Sequence, residues 1–133
     1  YKRYKIPFSF FLIDVDFFKK INDTYGHDKG DFVIKRISNL LKQNIRDSDI
    51  CARWGGEEFL ILVPNNNLDG ALILANNLKE LIEKNNFEIK ENVTISIGVS
   101  TFDENSSQEK LLKSADIALY KAKENGRNRT EFI

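Results

Sequence analysis

The chain has 133 residues, of which 41% are hydrophobic and 30% are charged, the size and composition of one globular domain. Twenty basic and twenty acidic residues cancel, which argues against a duplex-DNA-binding protein, so we expect no nucleic-acid partner. No apolar stretch reaches the length of a membrane span.

The single cysteine, Cys51, cannot form an internal disulfide, which favours a reducing, cytoplasmic location. The sequence begins at Tyr1 and contains no methionine. We therefore expect residues 1–133 to be one domain, the C-terminal fragment of a longer chain. The N-terminal part of that longer chain could anchor the protein to a membrane.

The predicted elements alternate between strands and helices. A nearly continuous apolar run over 9–15 is typical of a strand that is covered on both faces. Helical spacing of apolar residues follows over 32–45, then a β-prone run over 59–63. Apolar residues return to helical spacing between Ala71 and Leu81.

A last strand and helix are predicted in the final third of the chain. Alternation of apolar with small or polar residues from Val93 to Val99 predicts a strand. Ser106 to Glu109 has the pattern of a capping box, so a helix should begin there and end before Gly126. A short edge strand is expected over 129–133. The predicted fold class is α/β: a single layered domain with a central mixed β-sheet flanked by helices.

A β-hairpin is predicted at Gly55-Gly56, directly before the acidic pair Glu57-Glu58. Glycine supplies the positive φ angles of tight hairpin turns, and its missing side chain lets another molecule approach the backbone. Adjacent carboxylates repel unless a cation or solvent separates them. Taken alone, the motif is more often a solvated turn with surface acids.

The first strand ends in Asp14-Val15-Asp16, whose two carboxylates share one face because side chains alternate along a strand. Burial of an unpaired carboxylate is costly, so a cation is expected nearby. If the hairpin lies beside this strand, Asp14 and Glu57 converge as oxygen ligands suited to Mg²⁺. The alternatives are that Asp16 caps the following helical turn and that Asp14 pairs with a lysine.

The polar segment over 17–31 predicts a helical turn, then a loop, then a helix that starts near residues 28–31. His27 is interpreted as a loop or capping residue rather than a metal ligand. Lys19 is by default a surface lysine, although its position after Asp14 lets it reach a phosphate.

Three motifs occur in a diagnostic order and spacing. They are Asp-Val-Asp-Phe-Phe-Lys-Lys-Ile-Asn-Asp-Thr-Tyr-Gly-His over 14–27, Gly30-Asp31, and Gly55-Gly56-Glu57-Glu58-Phe59. Together they resemble the GGDEF family of diguanylate cyclases, in its Gly-Gly-Glu-Glu-Phe variant, over about 8–129. The resemblance implies a layered fold like that of nucleotidyl cyclases and polymerase palms. It also implies the condensation of two GTP molecules into cyclic di-GMP, with release of pyrophosphate.

The resemblance also implies roles for individual residues. Two divalent ions per active site, Mg²⁺ or alternatively Mn²⁺, would be held by Asp14, the backbone carbonyl of Val15 and Glu57. Glu57 would also be the general base, and the sequence does not separate that role from metal binding. Catalytic residues would be Glu57, Lys19 and Glu58, and GTP-binding residues would be Phe18, Asn22, Asp31, Gly55, Gly56, Lys123 and Arg127.

By the same resemblance, Asn22 and Asp31 would recognise guanine. A carboxylate accepts from the N1–H and the N2 amino group of guanine, and adenine lacks that pair of donors. Lys123 and Arg127 would contact phosphates. Because they are four positions apart, we expect them to share one face at the end of the last helix.

Arg46-Asp47-Ser48-Asp49 matches the Arg-x-x-Asp site through which many relatives bind their product. Arg46 would bond one guanine edge bidentately while Asp49 accepts from the other. The alternative is an exposed salt bridge within the loop. Asn77 stands where some relatives place a supporting arginine, so product inhibition is expected to be weaker.

The implied assembly is a homodimer in which each protomer holds one GTP. A sensor or receiver domain is expected N-terminal to this one in the full-length chain. Residues 1–7 lack the Asp-x-Leu-Thr-x-Leu-x-Asn-Arg segment that relatives carry there, which truncation would explain. The alternative to an enzyme is a catalytically silent module that senses GTP or cyclic di-GMP.

Overall fold

The computed structural model describes residues 8–102 and 107–133. These residues form five strands and four helices, and no helix among them is long and apolar enough to cross a lipid bilayer. The elements are β1 Phe8–Val15, α1 Phe18–Tyr25, α2 His27–Gln43, β2 Ile50–Arg53, β3 Glu58–Pro64, α3 Leu68–Lys84, β4 Ile95–Phe102, α4 Gln108–Glu124 and β5 Thr130–Phe132.

The strands form one sheet in the order β2-β3-β1-β4-β5. β1 is central and antiparallel to both β3 and β4, and β2 is antiparallel to β3. β5 pairs with β4 in parallel, so the predicted mixed sheet is confirmed. At the C-terminal end of β1, Asp14 lies opposite Glu58 on one side and Ser96 on the other.

Helices cover both faces of the sheet. Phe11 and Ile13 of β1 belong to the core cluster shared with α1, α2 and α3, whereas Phe10 and Leu12 pack with α4. Burial on both faces explains the continuous apolar run of β1, as predicted from the sequence. The result is a three-layer α/β/α domain.

The small residues of β4 have a packing role. A Cβ atom at Gly98 would lie 2.2 Å from the carbonyl oxygen of Ala115 and 2.4 Å from the backbone nitrogen of Leu119. The backbone of α4 therefore rests directly on the strand, and only glycine fits at this point of contact. The alternation seen in the sequence reflects this close approach.

The segment before α2 is more helical than predicted, because α1 is a helix of eight residues rather than a single turn. Gly26, at φ 89°, separates the two helices and allows the chain to change direction at one residue. His27 is the exposed first residue of α2, so its assignment to a loop or cap was wrong. Gly30 then lets α1 approach α2, because a Cβ there would lie 1.8 Å from Oδ1 of Asn22.

The ends of α4 follow capping rules, with one correction. The hydroxyl of Ser107 accepts from the N–H of Lys110 at 3.2 Å, so Ser107 is the N-cap, and a lysine stands where a capping box needs a glutamate. The predicted cap Ser106 lies outside the described residues. At the other end Gly126 adopts φ 118°, as expected just after a helix.

Candidate active site

Asp14 stands at the C-terminal end of the central strand with only 6% of its surface exposed. Its Oδ2 forms a salt bridge with Nζ of Lys123. Its Oδ1 is buried without a hydrogen-bond partner among the described residues. The alternative that Asp14 pairs with a lysine is therefore what the structure shows, and the lysine is one that the resemblance assigns to a phosphate.

Glu57 lies beside this carboxylate. The N–H of Val15 donates to the carbonyl oxygen of Glu57 at 3.1 Å, which fixes the hairpin next to the end of β1. Burial raises the pKa of the Glu57 carboxyl above its ordinary value, and the charge of Asp14 raises it further, while Lys123 opposes the shift. The side chains of Asp14, Glu57 and Lys123 thus occupy one region of the molecule.

The donor set at this point fits a hard divalent cation. In the part of the chain that the structure describes, no three carboxylate, imidazole or thiol groups converge as a ready-made metal site. A bound ion would therefore complete its coordination shell with backbone, water or phosphate oxygens, as Mg²⁺ usually does in proteins. Such an ion would coordinate the unpartnered oxygen of Asp14. It would also favour the charged form of Glu57 and so lower the raised pKa of that carboxyl.

The hairpin tip differs from the predicted two-residue turn. Four residues, 54–57, join β2 to β3, and neither Gly55 nor Gly56 adopts a positive φ. The guanidinium of Arg53 holds the loop instead, donating to the carbonyls of Gly55 at 3.1 Å and Gly56 at 2.6 Å. The sequence interpretation gave Arg53 no role, although an arginine two positions before the first of two glycines was available as a signal.

The two glycines leave different amounts of space. A Cβ at Gly55 would lie 3.3 Å from Oε1 of Glu58, whereas a Cβ at Gly56 would meet no atom within 4 Å. Folding therefore supplies no steric reason for glycine at position 56. An open backbone beside two carboxylates and an ammonium group is suited to close approach by a phosphate chain.

The residues assigned to guanine lie on α1 and α2. Asn22 packs on Gly30, and its Oδ1 is buried without a partner among the residues described. Phe18 is buried beside them, so it supports Asn22 from the core. Asp31, which follows Gly30, is exposed and lines an open cleft of about 390 Å³ together with Arg53.

Arg46 and Asp49 form a salt bridge of 3.0 Å within their loop. The N–H of Arg46 also donates to Oδ2 of Asp49 at 2.9 Å, and its guanidinium donates to the carbonyl of Pro64 at 2.5 Å. The side chain of Asp49 is fully buried. The loop salt bridge considered from the sequence is thus present, with one buried partner, and Asn77 is exposed on α3.

Asp16 does not cap α1, contrary to one alternative. The N-cap residue is Phe17, in the left-handed region at φ 56° and without a side-chain cap. Asp16 is buried and instead accepts hydrogen bonds from the hydroxyls of Thr94 at 2.8 Å and Ser96 at 2.6 Å. Position-by-position patterns could not show these partners, which belong to β4 and to the segment just before it.

Arg127 does not lie on the helical face predicted for it. α4 ends at Glu124, so Arg127 does not share a helical face with Lys123. Its N–H donates to the carbonyl of Ala122 at 2.9 Å, which places it in the turn that closes the helix. Its guanidinium lies 4.8 Å from the ring centroid of the exposed Phe17. Lys19 is exposed on the first turn of α1, without a salt bridge among the described residues.

Comparison with known proteins agrees with this geometry. The family model "Diguanylate cyclase, GGDEF domain" matches residues 2–129. Diguanylate cyclase A of Treponema denticola is 42% identical over 129 residues, which is 94% of this chain and 35% of that protein.

Two solved structures are similar over 98% of this chain. The active GGEEF domain of a diguanylate cyclase from Vibrio cholerae has a TM-score of 0.91 and 39% identity, with 85% of that chain covered. The GGDEF domain of DgcB from Caulobacter crescentus, in complex with c-di-GMP, has a TM-score of 0.93 and 26% identity, with 80% covered. This chain spans about a third of the length of the curated relatives that it matches. The chain belongs to the GGDEF domain family.

Proposed function

We propose that this domain is a diguanylate cyclase, which condenses two GTP molecules into cyclic di-GMP and releases pyrophosphate. The observation that carries the proposal is the convergence of Asp14, Glu57 and Lys123 at the end of β1, beside an open glycine backbone. The relatives support it, since one is named a diguanylate cyclase and a similar domain was solved with cyclic di-GMP.

The two carboxylates and the Val15 carbonyl would hold two divalent ions, which when bound supply charge neutralisation on the triphosphate and acidify the attacking 3′-hydroxyl. Glu57 would accept the 3′-hydroxyl proton on a carboxylate oxygen, acting as the general base. The 3′-oxygen then bonds to the α-phosphorus, and the bond from that phosphorus to the pyrophosphate breaks.

Cationic side chains would bind the phosphates. Lys123 pairs with Asp14, Arg127 lies over Phe17, and Lys19 is exposed on the first turn of α1. Glu58 lies opposite Asp14 on the neighbouring strand β3 and would add negative charge near the metal ions. Gly55 and Gly56 would let the triphosphate contact the hairpin backbone.

Asn22 and Asp31 would select guanine over adenine. The exposed Asp31 carboxylate can accept from N1–H and the N2 amino group. Oδ1 of Asn22, which has no partner among the described residues, would gain a hydrogen bond when a base edge binds. Adenine would leave these acceptors unpaired, which costs about 1–3 kcal/mol per group.

A single chain has one hairpin and one pair of guanine-reading residues, whereas the cyclic product needs two phosphodiester bonds. We therefore propose a homodimer in which two protomers face each other, each with one GTP. A sensor or receiver domain in the full-length chain would control that approach, in the cytoplasm where GTP is available. Arg46 and Asp49 would bind the product as a feedback ligand.

The test is incubation of the full-length protein with GTP and Mg²⁺, with its input domain in the active state, followed by chromatography. We expect cyclic di-GMP from the wild type, at least 100-fold less from Glu57→Gln, and unchanged yield from the control Glu80→Gln, an exposed change on α3. Protein that binds GTP but makes no cyclic di-GMP would be the silent sensing module instead.

A further inference from the structure

Asp16 is a buried carboxylate that the proposed chemistry does not use. Its side chain is 0% exposed, and its two oxygens accept from Thr94, Ser96 and the backbone N–H of Asn128, the last at 2.9 Å. The guanidinium of Arg127 lies 3.9 Å from Oδ1. One carboxylate thus ties the end of β1 to β4, to the segment before β4, and to the turn that follows α4.

The turn that Asp16 holds has an uncommon backbone. Gly126, Arg127 and Asn128 adopt φ values of 118°, 63° and 47°, three consecutive residues in the left-handed region. Only glycine enters this region without cost, so Arg127 and Asn128 need compensating contacts. The N–H of Asn128 finds one at Oδ2 of Asp16, and its amide donates to Glu83 at 2.7 Å.

The direction in which Arg127 points depends on this turn. Its guanidinium is held between the ring of Phe17, at 4.8 Å, and the carboxylate of Asp16. A relaxed turn would move the Arg127 backbone and separate the side chain from both contacts. The Asp16 carboxylate therefore affects Arg127 through two contacts. It accepts from the N–H of Asn128, the next residue, and it attracts the guanidinium itself.

We propose that Asp16 is a positioning residue for triphosphate binding, which acts by holding the 126–128 turn so that Arg127 faces the phosphates. This inference rests on the proposed function, because it takes Arg127 as a phosphate ligand. A carboxylate with only a structural role would instead affect nucleoside and nucleotide alike.

The experiment measures equilibrium binding of 3′-deoxy-GTP, which lacks the attacking hydroxyl, and of 3′-deoxyguanosine, which lacks the phosphates, to the full-length protein. Arg127→Ala should weaken 3′-deoxy-GTP binding about 10- to 100-fold, the value of a charge-assisted hydrogen bond. Asp16→Asn should weaken it about 5- to 10-fold, since the amide keeps an acceptor but loses its charge. Neither variant should change 3′-deoxyguanosine binding by more than about twofold, because neither touches the base.

The double variant Asp16→Asn/Arg127→Ala decides the mechanism. If Asp16 acts through Arg127, the double variant binds 3′-deoxy-GTP no more weakly than Arg127→Ala alone. Multiplicative losses, wild-type affinity in Asp16→Asn, or equal weakening toward nucleoside and nucleotide would each overturn the inference. Asp69→Asn, an exposed change on α3, is the matched control and should bind like the wild type.

Failure of the proposed function can be distinguished from failure of this inference. A folded wild type that makes no cyclic di-GMP and binds neither ligand would defeat the proposed function and this inference with it. If Asp16→Asn does not fold, Thr94→Val replaces it, because the Thr94 hydroxyl donates to the same Oδ2 that accepts from Asn128. We expect Thr94→Val to weaken 3′-deoxy-GTP binding about two- to threefold, and unchanged affinity would reject the inference.

Discussion

Lys123, near the end of α4, forms a salt bridge with Asp14 at the end of β1. Under the proposed function these two groups serve different ligands, Asp14 a metal ion and Lys123 a phosphate. In the structure each supplies the other's counter-charge. Binding of the metal–nucleotide complex would therefore replace one internal ion pair by two external ones, with little net change in the charge around either group.

Lys123→Met tests this exchange. Without divalent ions the variant should lose about 1–2 kcal/mol of unfolding free energy, because Asp14 remains buried without its cation, and partial exposure of Lys123 limits the loss. Mg²⁺ should then raise the melting temperature of the variant by more than that of the wild type. Lys121→Met, an exposed change on the same helix, is the control. Equal stability of both variants without metal would contradict the role given to the pair.

Glu57→Gln should increase stability in the absence of metal while abolishing activity. A carboxyl whose pKa is raised on folding binds its proton more tightly in the native state, so the wild type loses stability as the pH rises from the ordinary glutamate pKa through the raised one. Glutamine carries no charge and avoids that loss. The variant should exceed the wild type by a few tenths of a kcal/mol at pH 7, with the difference gone near pH 4. Denaturant titrations in EDTA at both pH values measure it, and a variant less stable at pH 7 would refute it.

Gly30→Ala should impair base selection more than folding. The new methyl group would overlap Oδ1 of Asn22, which has to rotate away. The helix gains about 1 kcal/mol from replacing glycine, which offsets much of the crowding, so unfolding free energy should change by less than about 1 kcal/mol. Discrimination between GTP and ATP in competition binding should fall about tenfold. Asn39→Ala on the exposed face of α2 is the control, and unchanged discrimination in Gly30→Ala would remove Asn22 from the guanine site.

Gly56→Ala should reduce activity while leaving stability nearly unchanged. The added methyl group meets no atom within 4 Å, and the residue is not in the left-handed region, so stability should stay within about 0.5 kcal/mol. If phosphates pack against this backbone, cyclic di-GMP production should fall at least tenfold. Thermal unfolding and product chromatography on one preparation check both statements. Full activity would show that the hairpin glycine is dispensable for binding.

Arg46→Ala should affect both stability and product binding. It removes the partner of a fully buried carboxylate, although the backbone N–H of position 46 still donates to Asp49, so we expect a loss of about 1–2 kcal/mol. Cyclic di-GMP should no longer bind at this loop in a calorimetric titration. Arg36→Ala, which removes an exposed bond to Asn85, is the control. Equal product affinity in Arg46→Ala and the wild type would exclude the inhibitory site.

Burial patterns in the sequence predicted the layers of this fold well. The continuous run of β1 marks a strand covered on both sides, and the helical spacing that begins at Ala71 marks the buried face of α3. Such patterns are local, because each residue reports the side of its own element that faces the core.

Some local side-chain contacts and most distant contacts escaped the sequence analysis. The hairpin does not need left-handed glycines, because the Arg53 side chain holds the loop. The partners of Asp16 at Ser96 and Asn128 lie 80 and 112 positions away in sequence. The position of Arg127 follows from the turn after α4, whereas the four-residue spacing predicted a helical face shared with Lys123. The roles of the site residues toward GTP and metal stay predictions.

The contact between Gly98 and α4 also determines the position of Lys123. Because the helix backbone touches the strand backbone, the height of α4 above the sheet is fixed by atoms that have no freedom to rotate. Lys123 belongs to that helix, so its distance from Asp14 depends on Gly98, which lies in the sheet. A single methyl group at position 98 would lift the whole helix and draw the ammonium away from its anion. The close approach of α4 at Gly98 and the pairing of Lys123 with Asp14 therefore depend on the same position of the helix over the sheet.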